Sequence, residues 1–324
     1  MASDSHQQRL EFLRGHAEGQ RDPELDELLS SNGPWPDPPF TDKAQCRSLS
    51  DYADGLLIKA LGPCPAGLHE EVCEIPTSDS YISTALLTRP APSSHHSPGP
   101  LIVLFHPGGF FLGSPAKLSM YARPLAKFFG ASVLCPSYRF ARRAAEKTGL
   151  RPPLTGVWAP LFMGLNEAAA VPEAYRSLWA SHGQHGRDAL VIDGAKAATM
   201  WDYYRPGVGS PLFNPLASPL EGLVGMPRVF LQVAGHDMFR DDGLVLAYAL
   251  RDRGGEVRLE VYPGVCHSFW VFAPGLTVSK RFFRDIVVGF AWLLGVGVED
   301  LGPEWETAMA MPDIKVAHND GCEA

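Results

Sequence analysis

Three short stretches of the sequence contain residue types that together can act on a carbonyl group. The first is the loop 106–109, HPGG, which directly follows the apolar run Leu101–Phe105. The second contains Asp237 and the third contains His267, and each of these also follows an apolar run. An imidazole oriented by a carboxylate can remove a proton, and glycine N–H groups can bind the negative oxygen that then develops. These residues are therefore the candidates for a functional site.

The apolar runs that precede these stretches predict the strands that position them. Residues 101–105 are a continuous apolar run, residues 131–136 and 227–234 are mostly apolar, and residues 257–261 alternate between apolar and polar. We expect the run 101–105 to be a central strand buried on both faces. Strands that alternate with helices are typical of a parallel sheet in an α/β protein. Because loops at the carboxyl ends of parallel strands share one edge of the sheet, the candidate residues are predicted to meet there.

These motifs resemble those of the hormone-sensitive-lipase-like and arylacetamide-deacetylase-like carboxylesterases, a branch of the α/β-hydrolases. The HPGG loop is similar to the HGGG motif of that branch, and the stretches GHDMFRDDG and CHSF are similar to its acid and histidine loops. The resemblance implies that Asp237 is the triad acid, that His267 is the base and that Gly108 and Gly109 form the oxyanion hole. Pro107 replaces a glycine of the motif and has no N–H to donate.

The resemblance also implies the architecture. It predicts an α/β-hydrolase fold, with a mostly parallel sheet flanked by helices and a lid or cap built from an N-terminal arm and a mid-chain insertion. The predicted boundaries are an arm at 1–69, a hydrolase domain at 70–295 that includes a lid-like insertion at 157–225, and a flexible tail at 296–324.

The nucleophile of the family is missing. No serine has glycine both two residues before it and two residues after it, and Ser132, which comes closest, opens a predicted strand instead of closing one. The elbow segment is expected after Ala141, but the chain continues directly into what resembles the end of the following helix. The sequence therefore predicts an α/β-hydrolase that lacks one central strand and its flanking helices.

Three functions remain open at this point. The first is a serine-type carboxylesterase of small, largely apolar esters, represented here by a splice or gene-model product without the elbow. The second is a non-catalytic ligand-binding or scaffold protein on the same fold. The third is a non-hydrolytic enzyme that uses the His–Asp pair as a general base.

Composition excludes several other classes. The net charge is −8 and no run of Lys or Arg is present, so we expect no nucleic-acid partner. The six cysteines lack metal-site spacing, and we expect no metal and no cofactor. With no signal-like segment and no membrane-spanning run, the chain is expected to be cytoplasmic, with a small apolar ligand or ester as its partner. Strand edges left by the missing segment would suit a homo-oligomer.

Some candidate residues also have ordinary structural interpretations. Asp237 precedes a predicted helix, where negative charge is favourable. His182 and His185 lie in SHGQHGRD, whose glycines argue against a helix that places both on one face, so a metal site is not expected. Cys266 is adjacent to His267, and neighbours in an extended segment point in opposite directions, which favours a packed thiol.

Overall fold

The described strands of the chain form two separate sheets. The computed structural model describes residues 2–35, 37, 39–76, 82–92, 99–137, 155–160, 162–163, 165, 167–187, 189–207, 209–210, 213–217, 219–307 and 309–312. The contacts divide the chain into two units, Met1–Asp42 with Phe140–Glu306, and Lys43–Arg139 with Thr307–Ala324. The boundaries predicted from the sequence, 69/70 and 295/296, remain predictions.

The elements of the described residues are as follows. The strands are β1 (Leu68–Pro76), β2 (Ile82–Pro90), β3 (Leu101–Val103), β4 (Ser132–Pro136), β5 (Gly156–Ala159), β6 (Arg228–Ala234) and β7 (Val257–Tyr262). The α-helices are α1 (Ala2–Glu18), α2 (Pro23–Asn32), α3 (Lys43–Leu61), α4 (Ser119–Phe129), α5 (Ser181–His185), α6 (Gly194–Tyr204), α7 (Arg240–Arg251), α8 (Phe269–Phe272) and α9 (Thr277–Leu294).

The unit that contains Lys43–Arg139 has a four-stranded sheet in the order β1-β2-β4-β3. β1 and β2 form an antiparallel pair, β2 is antiparallel to β4, and β3 runs parallel to β4. Helix α4 connects β3 to β4 and ends at Gly130, whose φ of 59° is the left-handed conformation that glycine adopts at helix ends. This strand-helix-strand connection is the parallel unit predicted from the sequence.

The prediction that residues 101–105 are buried on both faces is wrong. Ile102 and Leu104 are buried, but Leu101, Val103 and Phe105 are 66%, 43% and 66% exposed. Successive side chains of a strand point to opposite faces of a sheet, so the exposed residues share one face. In the part of the chain that the structure describes, only the face of Ile102 and Leu104 is covered. The predicted break after Ala141 lies outside the described residues.

The other unit contains a parallel three-stranded sheet in the order β5-β6-β7. Alternation along β6 divides its side chains between two faces. Val229, Leu231 and Val233 belong to the same buried cluster as the apolar residues of α7. Gln232 lies on the other face, where its amide approaches the Phe282 carbonyl of α9. Helices therefore cover both faces of this sheet, as expected for parallel strands.

The segment 157–225 begins differently from the predicted lid-like insertion. Its first residues belong to β5, which pairs with β6 in the parallel sheet, so this part is core. The rest of the segment connects β5 to β6 and includes α5 and α6. Asp193 caps α6 by accepting a hydrogen bond from the Lys196 N–H at 2.9 Å.

The turn between α1 and α2 lies against the loops that follow β6 and β7. The Gly264 N–H donates to the Glu18 carbonyl at 2.9 Å, and the Asp22 N–H donates to the Gly264 carbonyl at 3.0 Å. Gly264 has a φ of 75°, and a Cβ there would overlap the Gln20 carbonyl oxygen. The close approach therefore requires glycine at this position.

None of the described helices combines the length and the apolar character needed to cross a membrane.

Candidate active site

Asp237 and His267 lie on adjacent loops at the carboxyl end of the parallel sheet. Asp237 follows β6 and His267 follows β7, and these strands are paired up to Ala234 and Tyr262. The loops are joined by two backbone hydrogen bonds, from Gly235 N–H to Tyr262 O at 2.7 Å and from His236 N–H to Val265 O at 2.8 Å. The sheet edge therefore brings together two residues that are 30 positions apart, as the sequence predicted.

The two side chains are hydrogen bonded. His267 Nδ1 lies 2.9 Å from Asp237 Oδ2, and the residues are only 9% and 3% exposed. The other oxygen of Asp237 accepts the Phe239 N–H at 2.9 Å. Because a carboxylate only accepts, the proton of the neutral imidazole lies on Nδ1 and the Nε2 lone pair remains available. An imidazole held in this tautomer can act as a general base through Nε2.

The glycine loop belongs to the other unit and has an unusual backbone. Gly108, Gly109 and Phe110 have φ values of 143°, 57° and 69°. The Leu112 N–H donates to the Gly108 carbonyl at 2.9 Å, and a Cβ on Gly108 would overlap the Leu112 carbonyl. Within the described chain, neither the Gly108 nor the Gly109 N–H donates to another backbone group. These N–H groups are thus suited to bind an external acceptor, although the oxyanion-hole assignment stays a prediction.

His106 is a structural residue of this loop. It is 3% exposed, and its Nδ1–H donates to the Pro107 carbonyl at 3.2 Å. Burial lowers the pKa of His106 below its ordinary value, so the imidazole is neutral at physiological pH.

Cys266 is a packed thiol. It is 2% exposed, and burial together with the nearby Asp237 carboxylate raises the pKa of its thiol to about 12. Since the thiolate is the nucleophilic form, Cys266 is inert at neutral pH in spite of its place beside His267.

Sequence reasoning missed the role of the acidic residues that follow Asp237. Asp241 Oδ2 accepts the N–H groups of residues 180 and 181 at 2.7 and 2.6 Å, and Asp241 also pairs with Arg240 at 2.7 Å. The buried Arg240 guanidinium in turn donates to Gln184 Oε1 at 2.8 Å. These hydrogen bonds hold the segment that connects β5 to β6 against the loop that carries Asp237. The only sequence signal is the repeated Asp in the stretch between a predicted strand and a predicted helix, and negative charge suits a helix start equally well.

The glycines of SHGQHGRD, which argue against a helix that places both histidines on one face, do not prevent a short helix here. Residues 181–185 form α5, because Asp241 accepts the N–H group of residue 181 at the start of the helix. His182 bonds to Asp242 at 2.9 Å, whereas His185 stacks on His236 with ring centroids 5.2 Å apart. Within the described residues, no three His, Cys, Asp or Glu side chains are grouped to hold a metal ion.

Comparison with known proteins shows what the chain is similar to. A family model of the α/β-hydrolase fold matches residues 141–271. An AB hydrolase superfamily protein of Schizosaccharomyces pombe is 35% identical over 175 residues, 53% of this chain and 51% of its own. A versiconal hemiacetal acetate esterase of Dothistroma septosporum is 27% identical over 183 residues, 55% of each chain. Human hormone-sensitive lipase is 29% identical over 155 residues, 48% of this chain and 13% of the lipase.

The matches thus span about half the length of the first two relatives. Among solved structures, a vibralactone cyclase superimposes with a TM-score of 0.72 at 20% sequence identity, over 86% of this chain and 96% of the cyclase. At that identity the likeness shows the fold, and it agrees with the family match. The chain thus has an α/β-hydrolase fold and is similar in sequence to esterases and to human hormone-sensitive lipase, in agreement with the resemblance of its motifs.

Proposed function

We propose that the chain is a carboxylic-ester hydrolase in which Asp237 and His267 form the acid–base pair, and that its turnover is slow because it has no serine nucleophile. The observation that carries this proposal is the 2.9 Å bond between His267 Nδ1 and Asp237 Oδ2 on adjacent loops of the sheet edge. Esterases and a lipase among its relatives support esters as substrates. Small, largely apolar esters are the proposed substrate class.

In this proposal a water molecule takes the place of the serine. His267 Nε2 removes a proton from water while the water oxygen bonds to the ester carbonyl carbon, and the carbonyl electron pair moves to oxygen. When that oxyanion collapses, the bond to the alcohol oxygen breaks and His267 returns the proton to the leaving alcohol. The products are a carboxylic acid and an alcohol, and no acyl-enzyme forms.

Gly108 and Gly109 are proposed to donate their N–H groups to the oxyanion. The strained loop holds these N–H groups in place before substrate arrives, and one such donor contributes about a hundredfold to a thousandfold in rate. A triad enzyme without one of its members retains roughly a thousandfold to ten-thousandfold acceleration over water. That residual acceleration comes from the oxyanion hole and substrate binding alone, and general-base assistance of water by His267 is proposed to add to it.

We also propose that the intact gene encodes an elbow segment that this chain lacks. The family match begins at residue 141, beyond the glycine loop, at the place where the sequence predicts the break. Exposure of Leu101 and Phe105 supports the same interpretation, because a helix that follows the nucleophile would cover that face of β3.

Substitution of the base tests the proposed function. His267→Ala is expected to lower kcat/KM for a short-chain p-nitrophenyl ester by about a hundredfold or more, because general-base assistance contributes that much. Asp237→Asn is expected to lower it as well, since an amide no longer selects the Nδ1–H tautomer. Initial rates with the purified chain measure both effects.

His69→Ala is the matched control. It removes an imidazole that is exposed on β1 and pairs with Glu71 there, so the rate should not change. Equal rates for the wild type and His267→Ala would contradict the proposal. Saturable binding of the ester without any turnover would contradict it too, in favour of a ligand-binding protein.

A further inference from the structure

A second buried histidine–carboxylate pair lies close to the proposed acid–base pair. His182 Nε2 is 2.9 Å from Asp242 Oδ1, and the side chains are 14% and 1% exposed. Asp242 belongs to the first turn of α7, directly after the loop that carries Asp237, and His182 belongs to α5. The proposed hydrolysis uses neither residue.

The Asp242 carboxylate fixes the orientation of the His182 ring. Its Oδ1 also accepts the indole N–H of Trp179 at 2.8 Å, and its Oδ2 accepts the Leu165 N–H at 2.9 Å. All three partners donate, so the neutral His182 ring carries its proton on Nε2. The Trp179 ring packs on the imidazole with centroids 4.4 Å apart. With a hydrogen bond at its edge and an indole on its face, the ring has little freedom to rotate.

His182 reaches the proposed acid–base pair through Phe239. The His182 and Phe239 rings meet edge to face, with centroids 5.5 Å apart and an interplanar angle of 83°. Phe239 in turn meets His267 at 6.0 Å and 68°, and its backbone N–H donates to Asp237 Oδ1 at 2.9 Å. Phe239 therefore contacts both members of the pair, and it is 1% exposed.

We propose that Phe239 and His182 are positioning residues for Asp237 and His267, with Asp242 holding His182 in place. The Phe239 N–H orients the carboxylate, the Phe239 ring restricts rotation of the His267 imidazole, and His182 supports that ring from its other side. The proposal rests on the proposed function, because positioning matters only if the pair acts as a base. One such edge-to-face contact shifts an equilibrium by about two- to tenfold.

Exchange of the His267 Nδ1 proton with water tests the proposal on the resting protein. In nuclear magnetic resonance spectra of the full chain, this proton is protected as long as the bond to Asp237 is held. His182→Ala removes both the ring and the donor and is expected to raise the exchange rate by about two- to tenfold. His182→Phe keeps a ring against Phe239 and is expected to raise it less.

His185→Ala is the matched control, because it removes the other imidazole of α5, which stacks on His236 and not on Phe239. Its exchange rate should equal that of the wild type. Unchanged exchange in His182→Ala, or an equal rise in His185→Ala, would overturn the proposal. If His182→Ala does not fold, Phe239→Leu supplies the same comparison, since it removes the ring and keeps the backbone donor. The measurement needs no turnover, so it is independent of whether His267→Ala confirms the proposed function.

Discussion

His267 offers a substrate only its Nε2 nitrogen, because Nδ1 is bonded to Asp237. Burial raises the pKa of the neighbouring Cys266 thiol to about 12, so Cys266 supplies no nucleophile in place of the serine that the sequence is predicted to lack. In the proposed function this loop therefore supplies a base and no nucleophile. For this reason the proposed hydrolysis uses water, activated by His267, as the nucleophile.

A partly buried carboxylate contributes to the pH dependence of stability in the unit that contains Lys43–Arg139. Glu70 on β1 accepts two bonds from Arg123, at 2.7 and 3.1 Å. Burial by itself raises the pKa of Glu70, but the hydrogen bonds and the charge of Arg123 outweigh it, so the net pKa lies below the ordinary 4.5. The stabilisation is therefore complete above about pH 4.5 and is lost as the pH falls through the lowered folded pKa.

Glu70→Gln is accordingly expected to be less stable than the wild type at pH 7 and to lose less stability on acidification to about pH 3. Urea unfolding at a series of pH values measures both effects. Glu71→Gln is the matched control on the same strand, because the Glu71–Arg89 pair is 43% and 35% exposed and should contribute less. If the wild type and Glu70→Gln lose the same free energy of unfolding on acidification, the expectation is contradicted.

At the candidate active site, the sequence could predict the position of residues that lie just after a predicted strand. Asp237 and His267 each follow an apolar run, and the pairing of β6 with β7 brings their loops together. The roles of Gly108 and Gly109 stay predictions. The roles of Asp241 and Asp242 could not be predicted, because their partners lie about 60 or more positions earlier in the chain. No local pattern indicates which distant N–H group a carboxylate will accept.

A chain of polar side chains crosses the sheet β5-β6-β7 and joins it to α9. The Trp158 indole N–H donates to Gln232 at 2.8 Å, Gln232 donates to the Tyr262 hydroxyl at 2.8 Å, and Tyr262 donates to Asp285 at 2.9 Å. Burial, followed by the Asp285 charge, raises the pKa of Tyr262, so its hydroxyl stays protonated as the donor. These bonds run between neighbouring elements and favour one register of the strands over its alternatives.

Tyr262→Phe is expected to lower the free energy of unfolding by about 1–3 kcal/mol. The reason is that the Gln232 amide and the Asp285 carboxylate would each lose one hydrogen-bond partner. The midpoint of urea unfolding measures this loss. Tyr203→Phe is the control, since its hydroxyl donates to the Phe40 carbonyl near the surface and its loss should cost less. An equal loss of stability in both variants would show that the buried hydrogen bonds of Tyr262 contribute no more than a hydrogen bond near the surface.

Elements with a strong apolar pattern were predictable, and those held by tertiary contacts were less so. In α9 the apolar residues Phe282, Ile286 and Phe290 recur every four positions, a pattern that predicts an amphipathic helix, and all three are buried. Helix α5 was not expected, because its five residues contain a glycine and the helix depends on Asp241 from another element. The length of β3 was overestimated, since an apolar run does not show where hydrogen bonding to a neighbouring strand stops.

At the scale of the whole chain, the fold could be predicted and the completeness of its sheet could not. Motif order indicated an α/β-hydrolase, and the family match and the likeness to a solved structure confirm that fold. Among the described residues β3 pairs only with β4, and β5 only with β6.

The central proposal is a hydrolase with a base and no nucleophilic serine, and reaction with a fluorophosphonate probe tests it most directly. Such a probe forms a covalent bond with a serine activated by an adjacent base. At probe concentrations that label a serine esterase completely, we expect no adduct on the intact chain by mass spectrometry, while His267-dependent ester turnover persists. One probe bound per chain at a serine, abolished in His267→Ala, would contradict the proposal.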